Sequence, residues 1–399
     1  MGGLNAAQFG KRQVARRITS GGKNILMAMI LIVSHVELPN GTAHRLAGYL
    51  QREGIDVEFL GLPFPGNMNY HEISTLTERK FALRPQMNRR VSWLASVSNF
   101  FRVRNFIKSM HSDLTGIQVI ACDPLSFVYI LLSNVGCPIK KRILYFVDYS
   151  AQRFVKRLSR LLYGFLCRLA INHADYVLTT SEDALYALRL RFSQQLLSTQ
   201  TFVLPNLPLP FGGDVLRDSP RHGVIYMGGL KREQGALILP AIIEAIHARY
   251  AEIPFYLLGD GPLRHDLEIQ LSGDTFVHFC GLVDSVNEIE KMLQMCRIGL
   301  ALYEPKPSHH STFGDPLKVK DYLYAGLCVV TTRRPIGSKM DSPFVISCPY
   351  DPIKVAQSVI TLIEQEPWSA EDWHPQSDEI VQSSYRRAQT VLESINALE

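Results

Sequence analysis

The chain has 399 residues, 46% hydrophobic and 20% charged, enough apolar material for two domain cores and incompatible with a wholly disordered chain. Its seven cysteines are scattered, with no CxxC pair for zinc, iron–sulfur or dithiol chemistry, and read as small core residues of a reducing compartment. The apolar run Ile25–Val33 is far short of a bilayer span and lacks a small-residue cleavage site, so neither a membrane span nor a signal peptide is expected.

Charge divides the chain in two. Residues 1–200 hold 25 Lys+Arg against 12 Asp+Glu, and residues 201–399 hold 17 against 25. Either the halves serve different partners or two domains have drifted in composition. Residues 1–23 form a poorly patterned basic arm. From Ile25 a buried strand, a turn-rich loop to Gly41, a helix through Ala43, Leu46, Ala47 and Leu50, and a strand at Val57–Leu60 make a βαβ unit. Further strands are expected at Gln118–Ala121, Ile143–Val147 and Tyr176–Thr179, closing a first α/β domain over 24–205. The Pro/Gly-rich stretch around LPNLPLPFGGD reads as a linker over 206–220. A second α/β domain over 221–378 has strands expected at Val224–Met227, Phe255–Leu258, Phe276–Phe279, Ile298–Leu302, Cys328–Thr331 and Phe344–Ser347. Helices are expected at Ala236–Arg249 and Asp351–Gln365, and a closing helix within 379–399. Such domains place ligands at the carboxyl ends of their strands, and two facing domains enclose a cleft.

The richest stretch is YEPKPSHHSTFGDPLKVKDYLYAGLCVVTT at 303–332. Pro316 and Leu317 open a helix whose first turn carries Lys318, with Asp321 one turn on. Amides and a lysine at a helix start favour a phosphate, and an acid nearby can accept hydrogen bonds from ribose hydroxyls, so the group suits a nucleoside diphosphate. The alternative is an i,i+3 surface pair of small energetic weight. In Gly228–Gly235, Gly229 lets backbone approach a ligand and the adjacent Lys231 and Arg232 can neutralise a diphosphate, although the loop matches neither a Walker loop nor GxGxxG. Gly261, in GDGP, turns at the same edge. In the first domain His35, Gly41 and Thr42 lie where a substrate could enter. Asp148, after the strand ILYFV, is either a proton acceptor or hydroxyl-orienting group, or a helix cap or partner for Arg153. His309 and His310 have no metal-ligand spacing and read as sugar or phosphate contacts; no metal is expected.

These pieces, with HADYVLTTSE at 173–182, VIYMGGLKREQG at 224–235, LLGDGP at 257–262 and VHFCGLV at 277–283, resemble the retaining family 4 glycosyltransferases of the GT-B fold. The resemblance implies two Rossmann-like domains and transfer of a sugar from a UDP- or GDP-sugar, with no prosthetic group, to a hydroxyl of a glycan or polyprenyl-diphosphate-linked acceptor, with retention. It gives Lys231, Arg232 and Lys318 the diphosphate, Asp321 the ribose, and the backbone at Gly281, Leu282 and Val283 the base edge. Asp148, Arg232 and Lys318 are then the catalytic candidates. Two departures stand out. Phe313 occupies the place of the first acid of the family's spaced pair, and Gln234 that of a lysine. A catalytically silent scaffold and a sugar-nucleotide epimerase therefore remain rival readings.

Two stretches, 84–110 and 154–171, are basic without acids and carry bulky apolar residues, which suits an anionic membrane or acidic acceptor. For 154–171 the alternative is an ordinary core-facing helix with a solvated basic side. A cytoplasmic protein, peripheral on the inner membrane, is the expectation. A nucleic-acid binder is disfavoured because no zinc module, helix-turn-helix or RNA-binding aromatic motif is present.

Overall fold

The computed structural model describes residues 29–36, 40–63, 70–75, 78–83, 92–109, 117–133, 139–150, 154, 156–211, 221–305, 314–332, 343–365 and 370–396. The N-terminal arm, residues 84–91 of the first basic stretch, Arg153, His309 and His310 lie outside the described residues.

Two sheets organise the chain. The first contains β1 (Met29–Val36), β2 (Val57–Pro63), β3 (Tyr70–Thr75), β4 (Glu78–Leu83), β5 (Ile117–Ala121), β6 (Ile139–Phe146), β7 (Tyr176–Thr179) and β8 (Gln200–Val203). Their order is β4-β3-β2-β1-β5-β6-β7-β8, all pairings parallel except those of β3 with its two neighbours. The apolar run of β1 is continuous because both faces of the strand are covered: Leu31 and Val33 enter one core, Ile30 and Ile32 the other. Helices α1 (Thr42–Arg52) and α11 (Ala370–Asn396) supply the second of these cores. The other is covered by α2 (Ser92–Ser109), α3 (Pro124–Ser133), α4 (Arg157–His173) and α5 (Glu182–Leu196).

The second sheet contains β9 (Gly223–Met227), β10 (Phe255–Leu258), β11 (Val277–Gly281), β12 (Cys296–Ala301), β13 (Cys328–Thr331) and β14 (Val345–Ser347), in the order β11-β10-β9-β12-β13-β14 and wholly parallel. Around it pack α6 (Leu239–His247), α7 (Arg264–Gln270), α8 (Val286–Met295), α9 (Leu317–Tyr324) and α10 (Pro352–Glu364). Local signals set their starts. Ser181, Ser285 and Asp351 each cap a helix by accepting a backbone N–H three residues on.

In each sheet the strand order reverses once, between β1 and β5 and between β9 and β12. Outside the carboxyl ends of those strands a crevice opens, the usual ligand position of such sheets.

Three expectations are corrected here. Strand β1 continues through Ser34–Val36, which were expected in the loop. The closing helix begins at Ala370, before 379, and Ala388, Val391, Leu392 and Ile395 bury it against the first domain. Residues 212–220 of the expected linker lie outside the described residues, and its described part is an anchored strap. Leu204 and Leu207 enter the first domain's core, Leu209 and Phe211 the second's, and Phe211 stacks on Tyr324 at 5.5 Å. Prolines removed three backbone donors, but the alternating leucines gave the segment two cores to bury in.

Candidate functional site

At the crevice of the second sheet, β9 leads into Gly228 and Gly229 and β12 into Leu302, Tyr303 and Glu304. Two buried tyrosines hold this corner. The Tyr226 hydroxyl lies 2.9 Å from the carbonyl oxygens of both Gly229 and Gln234. The Tyr322 hydroxyl accepts the Met227 N–H at 2.7 Å. Gly259, at φ +141°, touches the same loop so closely that a Cβ there would stand 2.0 Å from the Gly228 carbonyl oxygen. Gly261 likewise backs onto the Leu230 carbonyl, so the GDGP turn packs against the glycine loop as a second wall.

Into this corner α9 delivers Lys318. Pro316 is the residue before its first turn, not within it, so the helix's free amides begin at Leu317. Lys318 Nζ lies 3.1 Å from Gln234 Oε1, and 4.7 and 5.1 Å from the ring centres of Tyr226 and Tyr303. A Cβ on Gly228 would come within 2.8 Å of it, so the absent side chain is what lets the ammonium reach the glycine backbone. Among the described residues no carboxylate pairs with it. Burial first, then the positive charge of Lys231, push its pKa down to about 7. A buried cation with no counter-ion among the described residues, beside half-buried glycine backbone, is a seat for an anion. Gln234, read from sequence as a lost lysine, instead accepts the bond that orients Lys318.

At the mouth, Arg232 is largely exposed and its Nε donates to Glu304 Oε1 at 2.8 Å. The other oxygen of Glu304 is buried and has no hydrogen-bond partner among the described residues. Sequence reasoning missed Glu304, because the search for a first acid counted a fixed spacing back from Asp321 to Phe313. The findable signal was its place directly after the β12 strand.

Asp321 is a correction. It is not at an open groove but fully buried, facing the first domain. Arg45 Nη1 and Nη2 donate to its two oxygens at 2.6 and 2.8 Å, and the Leu209 N–H adds a third bond at 2.9 Å. One turn of helix thus points Lys318 into the crevice and Asp321 into the domain interface, and no ribose hydroxyl can reach this carboxylate without displacing Arg45. The same interface holds Lys320, paired with Asp315 and donating to the Asn206 carbonyl at 2.8 Å.

The first domain's crevice holds a cluster that sequence reasoning saw only in part. His35 Nδ1 lies 2.8 Å from Asp123 Oδ2, and the Ser126 hydroxyl is 2.5 Å from the same oxygen. Asp123 Oδ1 caps α3 by accepting the N–H groups of Leu125 and Ser126. Burial alone would raise this carboxyl, but the charge of His35 and the bonds from His35 and Ser126 hold it well below the usual carboxylate range. Asp123 was missed because no spacing links residues 35 and 123; only the adjacency of β1 and β5 does.

Of the remaining candidates, Gly41 caps α1 and the Thr42 hydroxyl is already given to Asn206 Oδ1 at 2.7 Å. Asn40, in left-handed backbone at φ +62°, reaches across the interface to donate to the Asp284 carbonyl at 2.8 Å. That contact sits beside Gly281, Leu282 and Val283, whose Gly281 carbonyl accepts the Gly259 N–H. Asp148 is exposed at the end of β6. Lys231 flanks Gly229, its side chain half-buried. Among the described residues no group of three His, Cys, Asp or Glu side chains is arranged to hold a metal, and no helix is long and apolar enough to cross a membrane.

Residues 221–365 match the family model described as glycosyl transferases group 1. No curated protein matches the chain. Among solved structures, sucrose-phosphate synthase from Thermosynechococcus elongatus aligns over 93% of this chain and 99% of its own, at 16% identity and a TM-score of 0.62. The α,α-trehalose-phosphate synthase (UDP-forming) from Burkholderia vietnamiensis covers 93% and 99% at 11% identity and 0.61. The pneumococcal O-GlcNAc transferase GtfA, in complex with UDP and GlcNAc, covers 94% and 99% at 10% identity and 0.61. The fold is the GT-B arrangement.

Proposed function

With residues 221–365 forming a group 1 glycosyltransferase domain, we propose that the chain transfers a sugar from a nucleotide-sugar donor to a hydroxyl acceptor. The observation that carries this is Lys318, a buried side chain with no carboxylate partner among the described residues, aimed at the glycine loop at the crevice between β9 and β12. A diphosphate there meets the lysine, the backbone of Gly228 and Gly229, and Lys231. These groups are fixed before the ligand arrives, so they stabilise the charge that grows on the departing diphosphate without reorganising. Arg232 joins them on leaving Glu304. The second oxygen of Glu304, buried and without a hydrogen-bond partner among the described residues, is placed to accept a hydroxyl of the donor sugar.

The donor is a UDP-sugar in this reading, since the pneumococcal relative holds UDP and the Burkholderia one is UDP-forming; a GDP-sugar is the alternative. The base edge lies along Gly281–Val283. The acceptor enters from the first domain near His35 and Asp123, with Asp148 at its rim, and is a glycan or polyprenyl-diphosphate-linked hydroxyl. Attack from the leaving group's face, with the phosphate taking the proton, gives retention. Incubation with UDP- and GDP-sugars and product analysis tests this. Release of nucleoside diphosphate only with acceptor supports transfer; interconversion of the sugar without acceptor indicates an epimerase, and no turnover or binding at all overturns the proposal.

A further inference from the structure

Helix α4 has two apolar faces, and among the described residues only one is covered. Gly164, Cys167, Ala170 and Ile171 are buried on the first domain's side, the first three small enough to let the helix lie close. On the opposite side Leu158, Leu161, Leu162 and Phe165 follow the spacing i, i+3, i+4, i+7 and are 78%, 62%, 58% and 61% exposed. Four large apolar side chains in one exposed stripe are not the scattered single residues of an ordinary surface. The neighbouring helices of the same layer add exposed Phe101 on α2 and Leu132 on α3. Helix α2, the stronger candidate from sequence, instead buries Val103 and Ile107 and packs Phe100 and Phe106 against the core.

Charge identifies what covers the stripe. Arg157, Arg160 and Arg168 are exposed beside it, and no Asp or Glu occurs between Tyr149 and Ala174. A second copy docked symmetrically on α4 would set these arginines against their own equivalents. An apolar stripe edged by cations alone fits an anionic lipid surface, with leucines and phenylalanine entering the acyl boundary and arginines among the headgroups. We infer that the outer face of α4 docks the protein on anionic bilayers. This adds a partner surface to the proposed function and is testable apart from it, because α4 contributes nothing to the Lys318 crevice.

The test is flotation of the full chain with vesicles of phosphatidylcholine alone or with added phosphatidylglycerol. Binding is expected only with phosphatidylglycerol and is expected to weaken with salt. Exchanging two arginines (R157Q with R160Q) should lower the partition coefficient by about 30-fold, the weight of two surface charges. L161S with F165S should lower it on the order of tenfold or more through lost insertion. Both pairs should keep the native circular dichroism and any thermal shift with UDP, while K318A should lose the shift and still float. Equal binding to neutral vesicles, no binding to either kind, or variants that float like the parent would overturn the inference. So would sedimentation showing that L161S with F165S dissolves a dimer while leaving flotation intact.

Discussion

Arg45 on the first helix and Asp321 on the ninth meet fork to fork across the domain boundary, with no solvent access to the carboxylate. Both charges are desolvated, so each depends on the other. Removing one leaves the other buried and unpaired, which costs about 3–5 kcal/mol, whereas an apolar replacement of both can be nearly neutral. R45A and D321A are each expected to lower urea stability by that order, and R45M with D321L by much less than their sum. Additive effects would show that the two do not act as a pair.

Lys318 gives binding a pH dependence of defined sign. Its pKa lies near 7, and a bound diphosphate must raise it, so binding takes up a proton. Affinity for UDP should therefore fall as pH rises from about 7.5 to 9, a range above both that pKa and the phosphate's own ionisation. Calorimetry in buffers of different ionisation heat reads the proton uptake directly. K318R, charged throughout this range, should flatten the profile.

Glu304 separates sugar placement from diphosphate binding. E304Q keeps the shape and loses the charge, so kcat is expected to fall about 10- to 100-fold, the range of one hydrogen bond to a charged group, while UDP affinity changes little. A variant with unchanged kcat would remove Glu304 from the site.

Asp123 makes the first domain acid-sensitive. Its folded pKa lies below the unfolded value, so its stabilising contribution is full above about pH 4 and drains away as pH falls through the native pKa. D123N should lower stability at pH 7 by about 1–2 kcal/mol through the weakened cap and the lost hydrogen bonds to His35 and Ser126, and should flatten the acid limb of a denaturation series.

How much of this was legible follows from what each residue depends on. The buried parallel strands could be read directly, because a strand covered on both faces must be apolar throughout; β7, β10 and β13 begin and end where the sequence places them. The edge pair β3 and β4 could not, since HEISTLTERK offers no apolar alternation to a reader. Lys318 and the glycine loop were visible as local patterns following strands. Asp321 was misread because its role is set by Arg45, 276 positions away, and the i,i+3 geometry that puts it near Lys318 says nothing about which domain each faces. Glu304 was overlooked for the converse reason: a strand end fixes an acid in space even when loop length breaks its spacing.

The strap at Leu204–Phe211 has a bearing on how this molecule could be taken apart. Each half of the molecule borrows two side chains from those eight positions, and the polar groups along it are sewn to Arg45, Asp315, Lys320 and Asp321. A cut made there, where three prolines suggest a loose connection, would leave either lobe with an open seam.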